Sequence, residues 1–204
     1  MAAGAARLAK PAAWLLGLTP LAILAVDGIG VDPIETVTHL TGFWALTLLM
    51  ASLAVTPLRR VTGWNPIIGA RKVLGLFAFF YAVLHFVTYL VDQSFSPAFI
   101  VADVVKHGWV TVGFAALLLL VPLALTSRQA AIRKMGRRWQ KLHRLVYLAA
   151  GLGVLHFFLL VKKDLLEPLI FAGVFVALMA FRYELVSGAK AKRPARETPR
   201  VRAP

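Results

Sequence analysis

Long apolar runs separated by short polar segments dominate the pattern of hydrophobic and polar positions along this chain. Six runs approach or exceed the ~20 mostly apolar residues that a helix needs to cross a bilayer. The first run is short and contains Pro20, so a cleaved signal peptide is its alternative interpretation. No small-residue cleavage site precedes Asp27, and cleavage would leave five spans. The predicted spans are residues 11–26, 39–57, 73–91, 109–125, 139–161 and 169–183.

The pattern predicts an all-α polytopic membrane protein built as a bundle of six transmembrane helices. Residues 1–186 are expected to form this single domain. Residues 187–204 are rich in basic residues and contain Pro194 and Pro199, so they are predicted to form a disordered tail. No internal repeat is predicted.

Composition supports a membrane protein. The chain has 204 residues, of which 59% are hydrophobic, and its mean hydropathy is +0.75. A soluble domain is roughly half apolar, and here the excess lies in long runs. The sequence contains no cysteine, which excludes disulfides, thiolate metal sites and iron–sulfur clusters within the chain.

Charge predicts the orientation. The chain has 23 Lys and Arg residues against 9 Asp and Glu residues, a net charge of +14. The basic residues lie beside apolar spans and are not interleaved with exposed aromatic residues, so nucleic acid is not the predicted partner. Placing both termini in the cytoplasm puts 20 of the 23 basic residues inside, and seven of the nine acids outside. This asymmetry follows the positive-inside rule.

Two histidines are candidate metal ligands. Ionisable residues within a spanning helix are costly, so each is a candidate functional site. His85 and His156 lie in the outer halves of the third and fifth spans, which run in the same direction. Two imidazoles at matching depth can bind one haem iron from both faces, which leaves no open position for substrate and suits electron transfer. The alternative is that each histidine only hydrogen-bonds within the bundle.

His143 is a candidate for a second haem. It lies 13 positions before His156, which is ~20 Å along a helix and places it near the cytoplasmic end. The two side chains differ by ~220° around an ideal helix, so they do not share one face. A partner at the same depth on the third span would fall on Arg71 or Lys72, which disfavours a symmetrical bis-histidine site.

Interfacial location is enough to explain the other two histidines, and membrane topology is enough to explain the inner basic residues. His39 and His107 fall at the outer ends of spans, although either could approach the outer haem or substitute for a ligand. Arginine clusters bind anions, so the basic cluster also suits a haem propionate, a flavin phosphate or an anionic lipid headgroup. The members of this cluster are Arg59, Arg60, Arg71, Lys72, Arg137 and Arg138.

No nucleotide-binding or soluble catalytic motif is present in the sequence. Electrons must therefore come from another protein or from a membrane quinol. Gly151 and Gly153 lie within an apolar span, where small residues allow a helix or a porphyrin to pack closely.

Three segments resemble the MsrQ family of haem-binding membrane subunits, part of the ferric reductase-like transmembrane group. They are RKVLGLFAFFYAVLHFVTYL, RKMGRRWQKLHRLVYLAAGLGVLHF and MAFRYE, and the resemblance extends from the stretch 32–42 to Tyr183. It implies a six-helix protein of the bacterial inner membrane with b-type haem, one or two per chain, and FMN. The family's haem histidines fall on His85, His143 and His156. NADPH oxidase relatives carry two histidines on the third span, whereas this chain has only His85 there.

The resemblance also implies a function. The chain would pass electrons, from quinol or a cytosolic flavin reductase, to the periplasmic molybdopterin subunit MsrP, which reduces methionine sulfoxide in oxidised proteins. The catalytic centre would then lie in the partner. Two other hypotheses remain: a metal- or quinone-linked cytochrome b without such a partner, and a redox-inactive anchor for a peripheral enzyme.

Overall fold

The computed structural model describes the backbone of residues 2–161 and 163–191, and the side chains of residues 8–161 and 163–184. These residues form nine α-helices and one short 3₁₀ helix, and no strand occurs among them. The α-helices are α1 Ala2–Asp27, α2 Pro33–Thr62, α3 Ile68–Asp92, α4 Pro97–Lys106, α5 Gly108–Leu125, α6 Gln129–Met135, α7 Arg137–Leu142, α8 Leu145–Leu160 and α9 Leu166–Ala191; the 3₁₀ helix is Asn65–Ile67.

Six helical segments are long and apolar enough to cross a membrane, counted over the described residues. The prediction of an all-α, six-span membrane protein is therefore confirmed. The spans are Leu8–Asp27, Pro33–Thr62, Asn65–Asp92, Gly108–Leu125, Arg137–Leu160 and Leu166–Glu184.

Two antiparallel hairpins, α2–α3 and α5–α8, form the centre of the bundle. In the first hairpin, the Ser52 hydroxyl of α2 donates to the Arg71 carbonyl of α3 at 3.0 Å. In the second, the Trp139 indole N–H donates to the Thr126 carbonyl at 2.9 Å. Helix α1 packs beside α3, and α9 packs against α8 and α2.

The spans alternate in direction, so the bundle has two chemically distinct ends. We call the end where α3 and α8 begin the basic end, because the six-residue basic cluster lies there. The other, acid-rich end carries seven of the nine acidic residues of the sequence. The acidic residues there are Asp27, Asp32, Glu35, Asp92, Asp103, Asp164 and Glu167.

The core lies where the middles of α2, α3 and α8 meet. Leu48, Tyr81 and Ala150 are almost completely buried there. The Tyr81 hydroxyl donates to the Gly17 carbonyl at 2.7 Å, which ties α3 to α1 and satisfies a buried polar group. Large apolar side chains on the outer faces remain exposed, as expected for helices that contact lipid.

Local sequence signals set the ends of α2. Pro33 occupies the first turn, where its missing N–H removes no helical bond, and the Asp32 carboxylate accepts from the Glu35 N–H at 3.0 Å. The helix ends at Gly63, whose φ of 68° is in the left-handed region that glycine adopts without strain.

The helix predicted over residues 139–161 is interrupted at His143 and Arg144. The Arg144 N–H donates to the Lys141 carbonyl, and the Tyr147 N–H donates to the Arg144 carbonyl. These three-residue spacings tighten the chain locally, as in a 3₁₀ turn. The segment from α7 to α8 still runs as one span of 24 residues.

Two short helices lie between the predicted spans. Helix α4 (Pro97–Lys106) lies at the acid-rich end, and α6 (Gln129–Met135) lies at the basic end. Each is too short to cross a bilayer. Helix α9 continues to Ala191, so residues 187–191 of the predicted tail are helical, and residues 192–204 lie outside the described residues.

Candidate functional site

The structure brings two of the three predicted ligand histidines together. His85 of α3 and His156 of α8 lie near the acid-rich end, with their ring centroids 6.1 Å apart and their planes inclined by 79°. Both side chains are half-buried. The two helices run in the same direction, which places the two rings at the same depth.

Each of these two rings is held by a backbone carbonyl of the opposite helix in its hairpin. The Nδ1 atom of His85 lies 2.9 Å from the Thr38 carbonyl, and Nδ1 of His156 lies 2.7 Å from the Trp109 carbonyl. A carbonyl oxygen only accepts, so each Nδ1 must carry the proton. The lone pair is then left on Nε2, which is the usual arrangement in a metal-binding histidine.

A glycine lies against each histidine ring. A Cβ added at Gly42 would lie 3.0 Å from Cε1 and Nδ1 of His85. A Cβ added at Gly113 would lie 2.6 Å from Nδ1 of His156. Any larger residue at either position would displace the imidazole. The absent side chains therefore allow the rings to lie directly on the neighbouring helix.

The two hairpins repeat this arrangement, which the sequence analysis missed. Each Nδ1 bond spans 47 residues, and each carbonyl lies one helical turn before its glycine. The signal in the sequence is the tetrapeptide Val-Leu-His-Phe, which occurs at 83–86 and again at 154–157. The interval between these copies also separates Gly42 from Gly113. Each hairpin thus supplies one equivalent imidazole.

The separation of the two rings suits a single metal held by both imidazoles. A metal–nitrogen bond is about 2 Å long, so two bonds in line plus the ring radii separate the centroids by about 6 Å. The observed separation is 6.1 Å. Among the described residues, no group of three or more His, Asp or Glu side chains could hold a metal ion. Haem iron takes its other ligands from a macrocycle, so a pair of histidines is sufficient to hold it.

His143 lies apart from this pair, at the basic end. Its ring stacks on Trp139 with centroids 3.9 Å apart, and its Nδ1 lies 3.2 Å from the Trp139 carbonyl. Its Nε2 is buried and makes no direct hydrogen bond within the described structure, and the Leu123 backbone is the other group that interacts with the ring. A buried nitrogen without a partner is costly, and a metal ligand is one of the few roles that would satisfy it.

The other two histidines lie at the acid-rich end, as predicted. His39 lines an open pocket of about 370 Å³ between α1 and α2, together with Asp27 and Glu35. The Nδ1 atom of His107 lies 2.6 Å from an Asp103 carboxylate oxygen. Neither ring is paired with a second histidine in the way that His85 is.

The basic end has two features suited to anions. Arg182 lies over the Tyr147 ring at 4.5 Å, and both Arg60 and Arg71 are within its electrostatic range. A separate cleft of about 480 Å³ opens between α3 and α5. Its floor is apolar, and its polar groups are two cations and one hydroxyl. The residues that line the cleft are Lys72, Leu76, Phe79, Ala124, Leu125, Ser127 and Arg128.

Comparison with known proteins identifies the family. Residues 41–154 match the family model described as "Ferric reductase like transmembrane component". A protein of Rhodospirillum rubrum is 48% identical over 93% of each chain. One of Ralstonia nicotianae is 48% identical over 86% of this chain and 85% of its own. Both carry the name protein-methionine-sulfoxide reductase heme-binding subunit MsrQ. The chain belongs to the MsrQ family.

The resemblance inferred from the sequence is thus confirmed. A further MsrQ from Xanthomonas axonopodis pv. citri is 41% identical over 94% of this chain and 93% of its own. The matched stretch of this MsrQ-family chain includes His85, Gly42 and Gly113, and it ends two residues before His156. The ferric reductase-like region therefore covers most of the two hairpins that form the site.

Proposed function

We propose that this chain is the haem-binding membrane subunit of a protein-methionine-sulfoxide reductase system and passes electrons to a periplasmic molybdopterin partner, MsrP. The observation that carries the proposal is the His85–His156 pair, with a centroid separation that suits one shared iron. The names of the MsrQ relatives support both the cofactor and the reductase system. Reduction of the sulfoxide would then occur in the partner.

The residues of the two hairpins hold and orient a b-type haem in this proposal. When bound, the haem supplies a centre that gains and loses one electron at a time. His85 and His156 would hold the iron through Nε2, because their Nδ1 atoms donate to the Thr38 and Trp109 carbonyls. A haem held by both histidines would have no position open for substrate, so it would supply electron transfer and not catalysis at the metal.

A second haem at the basic end would use His143. The buried Nε2 without a partner is the observation that favours it. The residue that occupies the equivalent place on α3, by the repeat that relates His85 to His156, is Lys72. A second haem would therefore lack the symmetrical histidine pair of the first site.

FMN, which the family resemblance implies, would be held in this proposal by the cleft between α3 and α5. Lys72 and Arg128 can bind its phosphate, and the Phe79 side chain offers an apolar surface for the flavin ring. A flavin there would lie at the basic end, where a cytosolic flavin reductase could deliver electrons. A membrane quinol is the alternative donor.

The orientation follows from charge. The basic end faces the cytoplasm by the positive-inside rule, and the acid-rich end with the His85–His156 pair then faces the periplasm of a bacterial inner membrane. Electrons would enter on the side of the basic end and leave at the acid-rich end.

Visible spectroscopy of the purified protein tests the proposal. We expect b-type bands in the dithionite-reduced minus oxidised spectrum, and a pyridine haemochrome assay counts haems per chain. His85→Ala and His156→Ala should each abolish the low-spin signal, whereas His39→Ala should leave it intact. Full retention in both ligand variants would refute the assignment. Absence of haem from the wild-type protein would favour a redox-inactive anchor.

Transfer to the partner tests the rest of the function. The reduced protein should be reoxidised by oxidised MsrP together with a methionine sulfoxide substrate. Reoxidation by ferric chelates or quinones but not by MsrP would favour a metal- or quinone-linked cytochrome b instead.

A further inference from the structure

An unbroken row of aromatic rings leads from the histidine pair to the surface of the acid-rich end. The His85 and His156 centroids are 6.1 Å apart, those of His156 and Trp109 are 6.0 Å apart, and those of Trp109 and His107 are 5.9 Å apart. His107 is the last member of the row, and its side chain is 50% exposed. The first member is half-buried within the bundle.

The exposed end of this row is held in a fixed position. Nδ1 of His107 lies 2.6 Å from one Asp103 oxygen, and the other oxygen accepts from the Tyr89 hydroxyl at 3.0 Å. The Thr111 hydroxyl donates to the Val104 carbonyl at 2.8 Å, which ties α4 to α5. Helix α4 therefore holds the His107 ring over the end of the bundle.

A tryptophan at a membrane interface needs no special role, because such residues are enriched there. Trp109 differs from an ordinary interfacial tryptophan in two contacts. Its backbone carbonyl accepts from Nδ1 of His156, and its ring lies between His156 and His107. It is thus in contact with a proposed iron ligand through both its backbone and its side chain.

We propose that Trp109 and His107 form the exit route along which electrons pass from the His156 side of the site to the outer partner, which docks over His107. This inference rests on the proposed function. One electron moves per transfer, from the reduced haem iron to the oxidised acceptor centre of the partner, and no bond forms or breaks. Trp109 and His107 provide the intervening contact and are not themselves oxidised.

Trp109 has a side-chain role in the exit route and a backbone role in orienting His156, and a substitution can separate the two. Trp109→Leu removes the ring but keeps the carbonyl that orients His156. The low-spin haem signal should therefore be retained, and the midpoint potential is measured alongside so that any change in driving force is separated from the loss of the contact. The second-order rate at which the reduced protein transfers electrons to oxidised MsrP should fall, because the ring contact between His156 and His107 is lost.

Two further variants act as controls for this rate. Trp109→Phe retains an aromatic ring and should lose less than Trp109→Leu. Trp14→Leu removes a tryptophan that is 54% exposed on α1 and contacts Phe77, so its rate should be unchanged. A Trp109→Leu rate equal to that of the wild type would overturn the exit route and leave the proposed function standing. Failure of the wild-type protein itself to reduce MsrP would refute the proposed function.

Docking of the partner over His107 can be tested by a measurement that needs no electron transfer. The sequence contains no cysteine, so His107→Cys introduces a unique thiol. We expect MsrP to slow the reaction of this thiol with a maleimide. Val31→Cys, in the exposed loop between α1 and α2 at the same end, should react at the same rate with and without MsrP. Equal protection at both positions, or protection at neither, would contradict docking over His107.

Discussion

Substitution of the two ring-contacting glycines tests how the site is built. In Gly113→Ala the new Cβ would lie 2.6 Å from Nδ1 of His156, whereas carbon–heavy-atom contacts are normally near 3.5 Å. The ring or the helix must therefore move by about 1 Å. In Gly42→Ala the closest approach to His85 is 3.0 Å, so a movement of about half that size suffices.

The expected effect on haem exceeds the expected effect on folding. Overpacking costs about 1–3 kcal/mol, but alanine gains up to about 1 kcal/mol over glycine within a helix. The net loss of stability is then about 0–3 kcal/mol, which leaves most of the protein folded. A bound site tolerates displacements of only about 0.5 Å, so Gly113→Ala should disturb the ligand strongly and Gly42→Ala should lie at the limit.

The assay is haem per chain and the low-spin electron paramagnetic resonance signal of detergent-purified protein. We expect both to decrease in the order wild type, Gly42→Ala, Gly113→Ala. Gly173→Ala is the matched control, because a Cβ there would meet nothing within 4 Å. A Gly113→Ala protein with the haem content and spectrum of the wild type would refute the packing argument.

Two substitutions away from the haem site test the bundle itself. Tyr81→Phe should lower the free energy of unfolding by about 0.5–1.5 kcal/mol, because it removes the hydroxyl that donates to the Gly17 carbonyl. Tyr183→Phe, at a side chain that is 76% exposed, is the control, and equal effects of the two would contradict this role. Arg182→Gln removes the cation–π contact with Tyr147 and should cost about 0.5–2 kcal/mol. Thermal unfolding in detergent measures both, and an unchanged midpoint in Arg182→Gln would show that the contact contributes nothing.

The sequence predicted the class of fold because its signals are local. Apolar runs and charged flanks define six spans, and these signals do not depend on which helices become neighbours. Depth along a helix also follows from residue count, so His85 and His156 could be placed at one level before the structure was known. His143 could be separated from them in the same way.

The carbonyls and glycines that contact the two histidine rings could not be predicted from periodicity. The carbonyls and glycines lie 43 to 47 residues from the rings that they contact, and only the packing of the hairpins brings them together. The repeated Val-Leu-His-Phe tetrapeptide was the available signal. It is short and lies in apolar helices, where such combinations are common. Its relation to Gly42 and Gly113 becomes visible only when the structure shows that each glycine contacts a histidine ring.

The interruption at His143 and Arg144 also escaped prediction. No proline or glycine lies at this point, so the sequence pattern continues as a helix. The tight turn occurs where the Trp139 indole reaches across to the Thr126 carbonyl of α5 and the His143 ring stacks on the same indole. The bond to Thr126 is a tertiary contact, and a periodicity argument does not include it.

Chemical rescue of an axial ligand tests the central claim most directly. In His156→Gly, free imidazole can enter the space left by the side chain. We expect the low-spin resonance signal to be lost in this variant and to return when imidazole is added, while His39→Gly keeps the signal without imidazole. A His156→Gly protein that retains the wild-type low-spin signal in the absence of imidazole would show that His156 is not a ligand, and the paired-histidine site would be wrong.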